Sequence, residues 1–158
     1  MQDKFAALRE QAYQQGMAEA PELLKNCSFR DFIVLYLAEG SKKNRNQVSI
    51  ANSDVTVMQL AYIWLVRYGK DPNKLDYYVQ MHVDHDEDEI KKYWAHALSI
   101  DPAKIKTMRK SNSGQLKGRK FNSQYGVLSI QLGDTYLRAK LQAWMDYLKK
   151  SWVDAKFD

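Results

Sequence analysis

The stretch Phe29–Gly40, reading FRDFIVLYLAEG, constrains the fold more than any other part of the sequence. From Phe32 to Ala38 it is apolar on every side, and a helix apolar all round must be covered all round, whereas a surface helix carries one apolar stripe. The expectation is a helix buried twice over. The Ser28 hydroxyl is placed to cap its start, and Gly40 to stop it, because glycine tolerates the left-handed conformation that ends many helices. Between apolar run and stop sits Glu39. A carboxylate there faces the negative end of the helix macrodipole, an unfavourable position worth a few tenths to about 1 kcal/mol unless a cation offsets it. A metal or a basic partner at this end is the first functional expectation.

A chain of 158 residues suffices for one domain with a full core. Residues 1–27 read as an N-terminal helical arm and 28–158 as a single domain, without an internal repeat or a linker. The single Cys27 forbids an intramolecular disulfide. The longest apolar run is far too short to span a bilayer and the first residues lack a signal-type pattern, so the expectation is a cytoplasmic, nucleoid-associated protein with no membrane partner. The net charge of +5 is modest, but its distribution is segregated. Lys104, Lys106, Arg109, Lys110, Lys117, Arg119 and Lys120 cluster in one segment, Lys42, Lys43 and Arg45 in another, and the acids Asp84, Asp86, Glu87, Asp88 and Glu89 gather elsewhere. A basic face attracts phosphate through counterion release.

Asp3–Ala20 reads as a polar helix with Phe5, Leu8, Ala12 and Met17 as its apolar side, weakened at Gly16 and ended or restarted at Pro21. Val48 and Ile50 alternate with Gln47 and Ser49, the period-2 pattern of a half-buried strand, with Ser41–Arg45 as the other arm of a short hairpin. Asn52-Ser53-Asp54 opens a helix whose Val57, Leu60, Ala61, Trp64 and Tyr68 recur at helical spacing. In Asp76–Asp84, Tyr77, Val79, Met81 and Val83 alternate with Tyr78, Gln80 and His82, a strand whose wet face suits base edges. The acidic cluster then favours a helix start, with Ile90, Tyr93, Trp94, Ala97 and Leu98 on the apolar side. Ile105–Arg109 reads as a short strand and Lys110–Ser123 as a long loop of the kind that is often functional. Tyr125–Leu132 returns to strand alternation. Gly133-Asp134 starts a last helix striped by Leu137, Leu141, Trp144, Leu148 and Trp152.

Taken in order, Tyr36–Ser41 (YLAEGS), Ala51–Asp54 (ANSD) and Tyr125-Gly126 (YG) resemble the LAGLIDADG homing-endonuclease family, in its single-motif bacterial and phage branch, over roughly Phe29–Trp152. The resemblance implies an α+β fold with helices packed on a curved antiparallel sheet that straddles double-stranded DNA. It also implies a homodimer through the Phe29–Gly40 helix, with Val34, Leu35 and Ala38 at the interface, and a metal-binding, catalytic role for Glu39 with Mg²⁺, since paired metals assist phosphodiester cleavage. DNA contacts are then expected from Lys42, Lys43, Arg45, Gln47, Ser49, Gln80 and His82, with Lys106, Arg109, Lys110, Lys117, Arg119 and Lys120 adding phosphate contacts. Gln47, Lys106 and Lys120 are the candidates to assist cleavage. The chain departs from the family in its bulky Val34, in Glu for the commoner Asp, and in an extra helix over Asp86–Leu98.

Two other readings stand beside a nuclease: a non-catalytic, sequence-specific DNA-binding regulator on the same scaffold, and an interaction domain whose basic face meets an acidic protein. His82, Asp84, His85 and Asp86 lack the cysteine partners or helical histidine spacing of a zinc site. No Ser/His/Asp arrangement or glycine-rich phosphate loop is evident.

Overall fold

A computed structural model describes residues 2–109 and 124–155. The first helix, α1 (Gln2–Leu23), runs two residues past Pro21. Its buried residues are Ala12, Gly16 and Ala20, while Phe5 and Leu8 are exposed. The expected Phe5/Leu8 face therefore gives way to a face of small residues. The reason is contact distance: a Cβ on Gly16 would lie 2.9 Å from the Ala143 Cβ, so α1 packs backbone-close on the last helix, α5 (Thr135–Asp154). The residue that weakens α1 in isolation is the one that lets it dock.

The helix α2 (Cys27–Glu39) follows. Asn26, not Ser28, caps it: the Asn26 side chain accepts from the Phe29 N–H at 3.1 Å, whereas the Ser28 hydroxyl accepts from the Trp64 indole N–H. Phe29, Phe32, Ile33 and Tyr36 are buried, but Arg30, Val34 and Ala38 are exposed, so the described residues cover α2 on one side. Burial of one face is what the chain itself supplies; the second face, expected to be covered by a partner, stands open in the single chain. Gly40 is extended, at φ −70°, and not left-handed. Glycine is needed there because a Cβ would meet the Tyr36 carbonyl oxygen at 2.5 Å and the Tyr36 ring at 2.6 Å.

Strand β1 (Gln47–Asn52) is followed by α3 (Val55–Tyr68), whose first turn is capped by Asp54. Strand β2 (Asp76–Met81), helix α4 (Glu87–Leu98), strand β3 (Ile105–Arg109), strand β4 (Val127–Gly133) and α5 follow among the described residues, with Asp86 capping α4 and Asp134 capping α5. The expected hairpin arm over Ser41–Arg45 is reduced to a Gly40–Ile50 bridge and one bond from the Ser41 N–H to the Ser49 carbonyl. The strand expected to reach Asp84 ends at Met81, leaving Val83 exposed, and Trp152 lies exposed near the end of α5.

The sheet order is β1-β4-β2-β3. β4 pairs antiparallel with β1 and β2, but β2 and β3 are parallel. The fold is α+β as expected, with a mixed sheet in place of a purely antiparallel one. The additional helix supplies the reason, since parallel neighbours need a crossover connection and α4 is that crossover. Val48, Ile50, Tyr77, Val79, Met81, Ile105, Leu128, Ile130 and Leu132 turn into one hydrophobic core with residues of α2, α3, α4 and α5. No helix among the described residues is long and apolar enough to cross a membrane.

Candidate nucleic-acid interface

Because side chains alternate across a strand, burying one face of each strand fixes what stands on the other. The registers set those residues in rows. Ser49, Gln131 and Asp76 form one row; Ala51, Ser129, Tyr78 and Lys106 form the next; Val127, Gln80 and Met108 form a third. Gln47 stands beside the first row, where its amide donates to the Gln131 side-chain oxygen at 3.3 Å, and Gln131 donates in turn to the Ser129 hydroxyl at 3.4 Å. The Lys106 ammonium lies 3.7 Å from an Asp76 carboxylate oxygen and over the Tyr78 ring at 5.2 Å. Four strands spaced about 4.8 Å apart and some six residues long present a surface of roughly 14 by 20 Å. It is rich in amides and hydroxyls, groups that both donate and accept.

The end of α2 is tied to this surface through Tyr36. The phenol is fully buried, donates to the Ser41 carbonyl at 2.9 Å and accepts from the Ser49 N–H at 3.3 Å. Burial pushes its pKa above the usual tyrosine value, partly opposed by the Ser49 N–H and the nearby Arg138 charge. With the Ser41–Ser49 bond, these contacts occupy the outer edge of β1, which an edge strand otherwise leaves open to pairing.

Glu39 is exposed at the C-terminus of α2, and its carboxylate makes no hydrogen bond or ion pair among the described residues. Lys42, expected as a DNA contact, instead meets the helix end from within the chain: its ammonium donates to the Leu37 carbonyl at 2.7 Å and the Gly40 carbonyl at 2.9 Å. Lys42 thus serves the helix terminus. Of the expected DNA contacts, Gln47, Ser49, Gln80 and Lys106 share the open sheet face. Lys43 and Arg45 are exposed on the segment before β1. His82 lies beyond the end of β2, where its N–H donates to His85 Nδ1 at 3.3 Å. Arg109 turns to Glu87, at 3.8 Å. Lys110, Lys117, Arg119 and Lys120 lie outside the described residues. Val34 and Ala38 are exposed and Leu35 is half-buried.

The fold accounts for several motif residues. Asn52 accepts from the Asp54 N–H while Asp54 caps α3. Tyr125 stacks on Tyr93, with centroids 3.7 Å apart, and its carbonyl accepts from the Trp94 indole. Gly126 adopts φ +72°, with Gln80 so near that a Cβ would lie 2.4 Å from its carbonyl oxygen. Ser129 and Gln131, which the sequence did not single out as contacts, belong to the same open face as Tyr78, already expected on the wet side of its strand; the alternation in 125–132 was the signal that could have found them. Among the described residues no group of three or more His, Cys, Asp and Glu side chains comes together to hold a metal. Comparison with protein-family models, curated proteins and solved structures gives no match.

Proposed function

We propose that the chain binds double-stranded DNA through the open face of its sheet, as a homodimer of LAGLIDADG type that cleaves at a specific site with Mg²⁺. The observation that carries the reading is the row structure of that face, where Gln47, Ser49, Gln131, Ser129, Tyr78, Gln80 and Lys106 stand together opposite the core. A surface of amides and hydroxyls suits base edges in the major groove, about 12 Å wide, while exposed cations such as Lys43 and Arg45 meet phosphates and set register. The face of α2 that the chain leaves open, at Arg30, Val34 and Ala38, receives the second copy.

Glu39 fits a divalent cation as a hard oxygen donor with no competing partner among the described residues. One carboxylate per chain is an incomplete ligand set, and the second comes from the other copy's equivalent residue. When bound, Mg²⁺ supplies Lewis-acid polarisation of the phosphate. The chain's own contribution is placement: Lys42 neutralises the helix end, and Tyr36 holds that end against β1.

Binding and cleavage of a randomised duplex library, in Mg²⁺ and in Ca²⁺, test this with wild type and Glu39→Gln. Selected binding with Mg²⁺-dependent cutting, lost in Glu39→Gln, is expected. Binding without cutting in either protein replaces the nuclease by a DNA-binding regulator. No duplex binding at low salt refutes both and favours an acidic protein partner for the basic residues.

A further inference from the structure

Away from the sheet face, a groove of about 570 Å³ opens between the N-terminal half of α1, the first turns of α5 and the segment 41–46; it is lined by Arg9, Lys42, Arg45 and Arg138 against one carboxylate, Glu10. Arg138 is the unusual member. It is 4% exposed, yet no carboxylate among the described residues pairs with it. One of its terminal nitrogens donates to Gln142 Oε1 at 3.2 Å and the other to the Lys42 carbonyl at 3.3 Å, while its buried Nε–H has no partner among the described residues. A guanidinium stays charged in a protein, so it cannot escape burial by losing a proton as a lysine can. A buried charge with neutral acceptors alone is strongly unfavourable, and an anion in the groove relieves it.

The neighbours point to the same ligand. Arg9 comes from α1, held 3.5 Å from the Asn46 side-chain oxygen, and Arg45 from the connecting segment, so with Arg138 of α5 three arginines from three separate elements line one groove. A carboxylate offers two oxygens in a plane, which one arginine fork satisfies. A phosphate offers three terminal oxygens, more than one fork can satisfy, and so suits a groove lined by several arginines. The groove is open outward, leaving room for the ester carbon of a phosphate monoester. Lys42 adds its positive field while its ammonium bonds the end of α2.

The geometry points to a phosphate-binding site in this groove, with Arg138 as its buried anchor and Arg9 and Arg45 as its rim. Arg45 is shared with the DNA-binding reading, but the site does not rest on that reading, because its deciding titration uses inorganic phosphate and no nucleic acid. Inorganic phosphate is titrated against the full chain, with chloride at matched ionic strength as the control, following the melting temperature and the arginine Nε–Hε resonances. Phosphate is expected to raise the melting temperature and to shift the Arg138 Nε–Hε signal, and Arg9→Gln and Arg45→Gln each to weaken apparent affinity roughly tenfold or more. Both substitutions are on the rim, so they test the site even if Arg138→Gln fails to fold. Competition by a 5′-phosphorylated oligonucleotide, absent for its 5′-hydroxyl counterpart, assigns the phosphate to a nucleic-acid terminus; competition by neither assigns it to a free phosphate or small phosphate ester. Equal behaviour in phosphate and chloride, or a phosphate effect undiminished in both rim variants, overturns the proposal.

Discussion

Tyr36→Phe removes one oxygen and nothing else, at the point where α2, the turn after it and β1 meet. The ring keeps its place beside Phe32, 6.3 Å between centroids. What is lost is the bond to the Ser41 carbonyl at 2.9 Å and the bond from the Ser49 N–H at 3.3 Å. A buried hydrogen bond contributes about 1 kcal/mol net, and a backbone group left without a partner costs about 1–3 kcal/mol more if no water replaces it. The second bond is long, and the neighbouring Ser41–Ser49 bond at 2.8 Å persists. The expected loss is therefore about 1.5–3 kcal/mol, or a fall of about 4–10 °C in melting temperature for a chain of this size. Urea unfolding should show a lower midpoint with an unchanged m-value, because the surface exposed on unfolding is the same. The substitution also has a signature at high pH. The buried Tyr36 has a raised pKa, so above about pH 10 the unfolded chain releases this proton while the folded chain keeps it, and stability falls as pH rises. Tyr36→Phe lacks that contribution, so the gap between the two proteins should narrow above pH 10. A loss below about 0.5 kcal/mol at pH 7 would refute the view that this hydroxyl fastens α2 to β1.

The glycines allow an internal comparison. Gly126→Ala forces a left-handed residue to carry a Cβ 2.4 Å from the Gln80 carbonyl oxygen, and should cost about 2 kcal/mol or more, whereas Gly133→Ala, with nothing within 4 Å of its Cβ, should be neutral within about 0.5 kcal/mol; chemical denaturation of both decides it. Glu87 accepts from the Thr107 hydroxyl and pairs with Lys91, which hold its carboxyl below the usual value of 4.5. The lowered native pKa means that its contribution is present above about pH 4.5 and lost as pH falls through the native value, so Glu87→Gln should flatten the acid limb of a stability–pH profile without changing the alkaline limb.

Elements whose cause is local were legible in the sequence. Asp54 and Asp134 announce helix starts because a side-chain oxygen two or three residues upstream is what the first N–H groups need, and the alternation in 47–51 and 125–132 marks half-buried strands because the period of a strand is two. Features decided by distant partners were not. Ser28 reads as the cap, but the indole of Trp64 takes its hydroxyl and Asn26 caps the helix instead. Ala12, Gly16 and Ala20 carry too little hydrophobicity to declare a face, yet they set how closely α1 meets Ala143. Nothing in residues 105–109 shows that they run parallel to β2, since pairing direction follows from the crossover and not from the strand's own pattern. On the candidate interface, the alternation located Gln47, Ser49 and Gln80, but the adjacency of Lys106 to Tyr78 and Asp76 needed the register.

The motif residues divide by what the fold asks of them, and the division makes Glu39 separable from stability. Tyr36, Gly40, Asn52, Asp54 and Gly126 each answer a local requirement: a buried bond, a close approach, a cap, a left-handed turn. Glu39 answers none among the described residues, and its charge opposes the helix dipole. Glu39→Gln should therefore leave stability within about 0.5 kcal/mol of wild type, or raise it slightly, while Gly40→Ala, whose Cβ would press on the Tyr36 ring, should lower it. Measured together, the two changes separate chemistry from scaffold. Cleavage lost in a fully stable Glu39→Gln protein reports a role for the carboxylate itself, and a marked loss of stability in that variant would refute the claim that the fold makes no use of it.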